Sequence, residues 1–158
     1  MNFSNKPLVA TIAALILAIG AAAGARLWLA PPNPEASVTA PLDPACDLQA
    51  GPCSSDIPGG GRIELAIEPR PIPLLRPLRL VVKTQGLDAR LVEVDLTGLD
   101  MNMGYNRPQL KQEGEHQFTG ETVLPVCITG GMAWQAAVVV TTPELKAVAP
   151  FRFTTARN

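Results

Sequence analysis

Sulfur supplies the most pointed chemistry in this chain. Apart from Met1, every methionine falls in one of two short segments. Met101 and Met103 lie within Leu99-Asp100-Met101-Asn102-Met103-Gly104-Tyr105-Asn106-Arg107-Pro108. Met132 lies within Leu124-Pro125-Val126-Cys127-Ile128-Thr129-Gly130-Gly131-Met132-Ala133-Trp134, which also holds the thiol of Cys127. In an extended chain, Met101 and Met103 project to the same side with α-carbons roughly 6.5 Å apart. Thioether and thiolate donors select Cu(I) by softness, where carboxylates select hard cations. A thioether has no proton to lose, so such a set keeps its donors in acid. The metal set read from these residues is Met101, Met103, Met132 and Cys127.

The same side chains carry two plainer readings. Methionine fills irregular gaps in cores, and Cys127 between Val126 and Ile128 has the surroundings of a small buried apolar residue. Alternatively the first segment is a protein-contact surface, with Tyr105, Asn106 and Arg107 as its polar and aromatic groups. Asn102 and Gly104 favour a loop over a core strand there.

Cys46 and Cys53 flank Asp-Leu-Gln-Ala-Gly-Pro, with Gly51-Pro52 turning the chain back. In an oxidising compartment this close pair forms a local disulfide, leaving Cys127 over. The spacing is wider than that of zinc knuckles, which disfavours a metal reading of the pair.

Other catalytic arrangements fail by inventory. His116 is the only histidine and sits beside an expected hairpin tip. Beyond Ser4, the serines are Ser37, Ser54 and Ser55, all in a segment without regular periodicity, so a Ser–His–Asp triad has no scaffolded nucleophile. Glu113 and Glu115 read as solvated turn charges. Gly59-Gly60-Gly61 has neither a preceding strand nor a following helix, as a phosphate cradle requires. No enzyme is expected.

The elements that must position the sulfur groups read as strands. Ile63, Leu65 and Ile67 alternate with polar or small neighbours, a period of two. Pro69, Pro71, Pro73 and Pro77 then break the ladder. Leu78, Leu80 and Val82 alternate again, as do Val92, Val94 and Leu96. Further strands are expected over 117–124, 133–142 and 148–155. Six or so short strands without an amphipathic helix give an all-β fold, an immunoglobulin-like β-sandwich of about six or seven strands.

Ahead of these strands lies a different kind of segment. Leu8–Ala25 is free of charge, and at about 1.5 Å per residue it makes about 27 Å of helix, close to the bilayer core. Leu27 to Ala30 extend it, with Arg26 snorkelling and Trp28 suited to the interface. A cleavable signal peptide with small residues near Ala21 to Ala25 competes with this reading, but the length favours an uncleaved signal anchor. Both place the remainder outside the cytoplasm. The expected organisation is 1–7 cytoplasmic, 8–30 a transmembrane signal anchor, 31–61 a tether and 62–158 the exported β-sandwich domain. The tether reading rests on seven prolines, a Gly-Gly-Gly run and no Lys or Arg. After Arg26 there are fourteen Asp and Glu residues against eleven Lys and Arg, and no basic stripe, which excludes nucleic acid as a partner.

In order of features, the segment from Gly61 to Thr155 resembles the YtkA-like and FixH-like domains. The shared features are the Met-x-Met-Gly loop at Met101 to Gly104 and the Gly–polar–aromatic strand at Gly114 to Phe118. The Leu124-Pro125 turn and the Gly–hydrophobic–x–Trp lead-in at Gly131 to Trp134 follow. The resemblance implies an immunoglobulin-like domain on a single-pass anchor in a bacterial inner membrane, facing the periplasm. It also implies copper as the ligand, and a copper chaperone of the SCO type or a haem–copper oxidase as partner. A copper-handling binding module is thus the first functional reading. A non-metal structural or interaction subunit of an inner-membrane complex is the second. A thiol-redox role for the three cysteines comes last, since no Cys-x-x-Cys pair is present.

Overall fold

Alternation decides the strands. In β3 (Arg62–Glu68), Ile63, Leu65 and Ile67 are fully buried while their neighbours face outward. β4 (Pro77–Gln85) buries Leu78, Leu80 and Val82, and β5 (Leu91–Gly98) buries Val92, Val94 and Leu96. The computed structural model describes residues 36–126 and 131–155, together with residues 14–17, 19–21 and 24. It divides the chain into two units, Met1–Asn33 and Pro34–Asn158.

The second unit is a β-sandwich. One sheet has the order β1-β9-β8-β5 and the other β2-β3-β4-β7-β6. The remaining strands are β1 (Ala36–Thr39), β2 (Cys53–Asp56), β6 (Lys111–Gln112), β7 (Gln117–Val123), β8 (Met132–Thr141) and β9 (Leu145–Thr155). Trp134 and Phe151 are the largest fully buried side chains. Trp134 stacks on Phe153 with ring centroids 6.5 Å apart and donates its indole N–H to Thr155 Oγ1 at 3.0 Å.

The six strands expected from the sequence, three of them from alternation, are all present, with ends shifted by a few residues. The expected tether over 31–61 is corrected in its larger part. β1 and β2 both lie in it, and Ala40, Leu48, Cys53 and Ile57 are buried in the core. Proline and glycine content describes a stiff, turning chain, but it does not say whether the apolar residues between the turns find a surface to cover. Here they do. β1 runs parallel to β9, the Cys46–Cys53 disulfide closes the loop that follows, and β2 joins β3. The chain therefore crosses one flank of the sandwich from sheet to sheet.

The opposite flank is closed in the same way. Beyond the loop after β5, the chain returns along that strand's free edge. Val94 and Leu96 donate their N–H groups to the Pro108 and Asn106 carbonyls at 3.1 and 2.9 Å, and Leu110 N–H reaches the Val92 carbonyl at 2.8 Å. It then pairs with β7 as β6. Pro150 is tolerated inside β9 because β1 ends at the Thr39–Val148 pair, leaving an open edge where the missing N–H faces.

Strand direction defines two poles. Pairing of Ala36 with Leu145 brings the chain into the sandwich at the pole of the β8–β9 turn. Gly98, Val123, Met132 and Thr155 lie at the other pole, as the ends of β5, β7, β8 and β9.

In the first unit, residues 14–17, 19–21 and 24 are helical, with Leu15, Ile16, Leu17 and Ile19 exposed. Among the described residues no helix is long and apolar enough to cross a membrane. Most of the expected span at 8–30 lies outside the described residues.

Candidate functional site

The methionine pole is built where β5 ends and β8 begins. Gly98 pairs with Trp134, and just beyond, Leu99 N–H donates to the Ala133 carbonyl at 2.9 Å. The Asp100 carboxylate accepts the Ala133 N–H at 3.1 Å. These two bonds clip the loop after β5 to the start of β8. Asn102 Oδ1 then accepts the Gly104 N–H at 2.9 Å, and Gly104 turns the chain with φ of +81°. Glycine takes that left-handed conformation without the Cβ clash other residues suffer.

This turn overrides the extended geometry expected for Met101 and Met103. The two side chains differ in burial: Met101 is 40% exposed, whereas Met103 packs half-buried against the core. Met132 is buried. What brings the two segments together is Gly98. A Cβ at Gly98 would collide with Met132 Cε, and it would lie 2.5 Å from the Met101 carbonyl oxygen and 3.1 Å from Met103 Cγ. Met103 and Met132 thus converge on the space that a side chain at position 98 would fill. A cleft of about 400 Å³ is lined by residues from Thr97 to Gly104, including Gly98, Met101 and Met103. Cys127 lies outside the described residues.

The expected contact surface divides. Tyr105 is 86% exposed. Asn106 instead ties two loops together, donating Nδ2–H to the Val123 carbonyl at 3.1 Å and accepting from Thr122 Oγ1 at 2.7 Å. Arg107 turns onto β5, with Nη2 2.9 Å from Glu93 Oε2 and Nη1 3.9 Å from Asp95 Oδ2. Covering the β5 edge fixes both residues in place, so they act within the fold and only Tyr105 offers itself outward.

Sequence reasoning missed two features of this pole. One is an exposed apolar rim: Leu75 is 65% exposed, and Leu99, Val123 and Val126 are each more than 40% exposed. Leu75 holds φ of 55°, with its N–H bonded to the Leu124 carbonyl at 2.9 Å. Nothing in the proline-rich run around it signals a left-handed leucine. The other is Gln49, whose amide joins β9 to the β3–β4 loop. It donates to the Thr154 carbonyl at 2.6 Å and accepts from Ile72 N–H at 2.7 Å. A polar residue in a short cysteine-bounded loop was the only available hint.

Around the place of a Gly98 side chain lie the Met132 methyl, Met103 Cγ and the Met101 carbonyl oxygen, so two methionine side chains and one main-chain carbonyl meet there. Among the described residues no group of three or more His, Cys, Asp and Glu side chains is placed to hold a metal ion. The thioether is a soft donor and fits a soft monovalent ion better than a hard divalent one, whereas the carbonyl oxygen is a hard donor. Comparison of the chain with protein-family models, with curated proteins and with solved structures finds no match in any of the three.

Proposed function

We propose that this protein is a membrane-tethered, extracytoplasmic binding module that takes Cu(I) at its methionine pole, without catalysis of its own. The observation that carries this reading is the convergence of Met103 and Met132 on Gly98, which lines one cleft together with Met101 and Met103. Met101 is the exposed donor that meets the ion first, and Met103 and Met132 stand deeper. Cys127, five residues before Met132, is the fourth donor of the proposed set. When bound, the ion would be held by polarizable sulfur, with the thioethers losing no proton to receive it and the Cys127 thiol giving up its proton to ligate as thiolate.

Several further observations support the reading. The uncharged stretch from Leu8 to Ala25, with the exposed apolar side chains of its described part, suits an inner-membrane anchor. A Cys46–Cys53 disulfide suits an oxidising compartment such as the periplasm. The strand order β3-β4-β7-β6 against β5-β8-β9 matches the two sheets of an immunoglobulin domain of the constant type. That order agrees with the resemblance to YtkA-like and FixH-like domains, and from it come the proposed partners: an SCO-type copper chaperone or a haem–copper oxidase.

The test is a Cu(I) titration of the Pro34–Asn158 unit against a chromogenic chelator, beside Met101→Leu and Met103→Leu. Leucine keeps the volume and removes the sulfur. Each substitution should weaken binding about tenfold or more. Equal competition by wild type and both variants would end the metal reading.

The second reading is an interaction subunit of a membrane complex. The exposed rim of Leu75, Tyr105, Val123 and Val126 favours it. Under that reading the leucine variants leave Cu(I) affinity unchanged.

A further inference from the structure

The small loop between Cys46 and Cys53 is tied into the molecule more firmly than a surface loop needs to be. Leu48 is fully buried in the core. Asp47 organises the loop from within, its carboxylate accepting Gln49 N–H at 2.9 Å and its carbonyl accepting the N–H groups of Ala50 and Gly51 at 3.0 and 3.1 Å. That leaves the Gln49 amide free to bridge Ile72 N–H and the Thr154 carbonyl. Both partners belong to the methionine pole. Ile72 lies in the β3–β4 loop that carries Leu75. Thr154 precedes Thr155, which pairs with Met132 and accepts the Trp134 indole N–H. One short covalent ring therefore holds the ends of both sheets where the methionines sit.

We infer that the Cys46–Cys53 ring is a redox-operated latch on this pole. The latch rests on the geometry alone, while its control of a metal site rests on the function proposed above. The opening reductant is a dithiol. One of its thiolates attacks Cys46 Sγ, the less buried of the pair, forming a mixed disulfide and expelling the Cys53 thiolate, which takes a proton. The second thiol of the reductant then displaces Cys46, which is protonated in turn. The reductant leaves as a disulfide, and two electrons and two protons have passed to the protein. With the ring open, Asp47 to Pro52 are no longer held at both ends. Gln49 is released, and Ile72 and the end of β9 lose their common anchor.

The test is amide and indole hydrogen exchange on the full chain in detergent micelles. Four states are compared: oxidised, treated with dithiothreitol, a Cys46→Ser/Cys53→Ser variant, and Gln49→Ala with the disulfide intact. Reduction and both variants should speed exchange of Ile72 N–H about tenfold or more, and the two ring-opened states should also speed the Trp134 indole. Leu80 and Val82 in β4 should keep their protection. Unchanged Ile72 exchange on reduction would overturn the latch. So would a uniform loss of protection across β3, β4 and β8, which would mark the disulfide as a staple for the whole fold. Cu(I) titration of the Cys46→Ser/Cys53→Ser variant separates the two proposals. Weaker binding than wild type supports a latch that governs the metal site. Faster Ile72 exchange with no Cu(I) binding in either form leaves the latch standing and removes the metal reading.

Discussion

At the scale of single residues, Gly98 has the largest consequence for the site. Its φ is not left-handed, so the backbone would accept alanine there; what it would not accept is the volume. A methyl at position 98 takes the place of Met132 Cε and presses on the Met101 carbonyl and Met103 Cγ. The Met132 methyl can swing, but the Met101 carbonyl belongs to a loop clipped by Asp100, so relief is incomplete. Gly98→Ala should cost about 1–3 kcal/mol, as overpacking of a fitted core does, measured by urea unfolding. An unchanged midpoint would mean that the methionine pole is looser than these contacts imply. No such role is legible in the sequence around Gly98. A glycine at a strand end reads as a turn, and only the approach of β8 reveals what it makes room for.

At the scale of elements, the β2–β3 hairpin shows electrostatics fastening a turn. Asp56 and Arg62 face each other in register, and Ile57 N–H meets the Gly61 carbonyl at 2.9 Å between them. Arg62 reaches the carboxylate with two donors, Nε at 2.6 Å and Nη2 at 3.0 Å. The hydrogen bond from Arg62, helped by its charge, holds the Asp56 carboxyl below its ordinary value of 3.8. A carboxyl depressed in the folded state contributes its stability above the unfolded value. That contribution is lost as pH falls through the folded value. Asp56→Asn should therefore lower the melting temperature slightly at neutral pH, and the gap to wild type should close below about pH 4. Both side chains are more than half exposed, so the effect is small and weakens in salt. A gap that persists at pH 2 would assign the effect to something other than the carboxylate charge.

At the scale of the whole molecule, the sandwich depends on two crossing segments, one along each flank. The segment over 106–112 passes from the β5 edge to β7, and the segment over 36–56 passes from β9 to β3. Both protect strand edges that would otherwise offer unpaired backbone groups. The second one also brings Leu48 and Ile57 into the core. Leu48→Ala should cost about 2–5 kcal/mol, as truncation of a fully buried leucine does, whereas a residue in a solvated tether would cost almost nothing. A chain beginning at Arg62 should lose its cooperative thermal transition, while one beginning at Pro34 should keep it. Calorimetry on the two truncations decides between a domain that starts at 62 and one that includes β1 and β2.

Alternation in the sequence was enough to locate β3, β4 and β5, because a strand with one buried face must repeat every two residues, while β-forming composition between turn signals located β7, β8 and β9. The pairing of Cys46 with Cys53 was equally local, since few residues separate them and Gly51-Pro52 turns the chain. The methionine segments were legible as residue types, though not as a geometry. How deeply Met101 and Met103 sit is decided in a loop shaped by the Asn102–Gly104 turn and by Asp100 reaching Ala133, a contact between residues 33 apart in the chain. β1, β2 and β6 were hidden for a related reason. They are four residues long or shorter, too brief for a period to show, and they become strands only because the edges of β9, β3 and β7 supply partners. Hydrogen bonds across the sheets, and the volumes that must fit between them, lie outside any local pattern. Those two constraints placed Gly98, Gln49 and Leu75 at the pole that carries the proposed function.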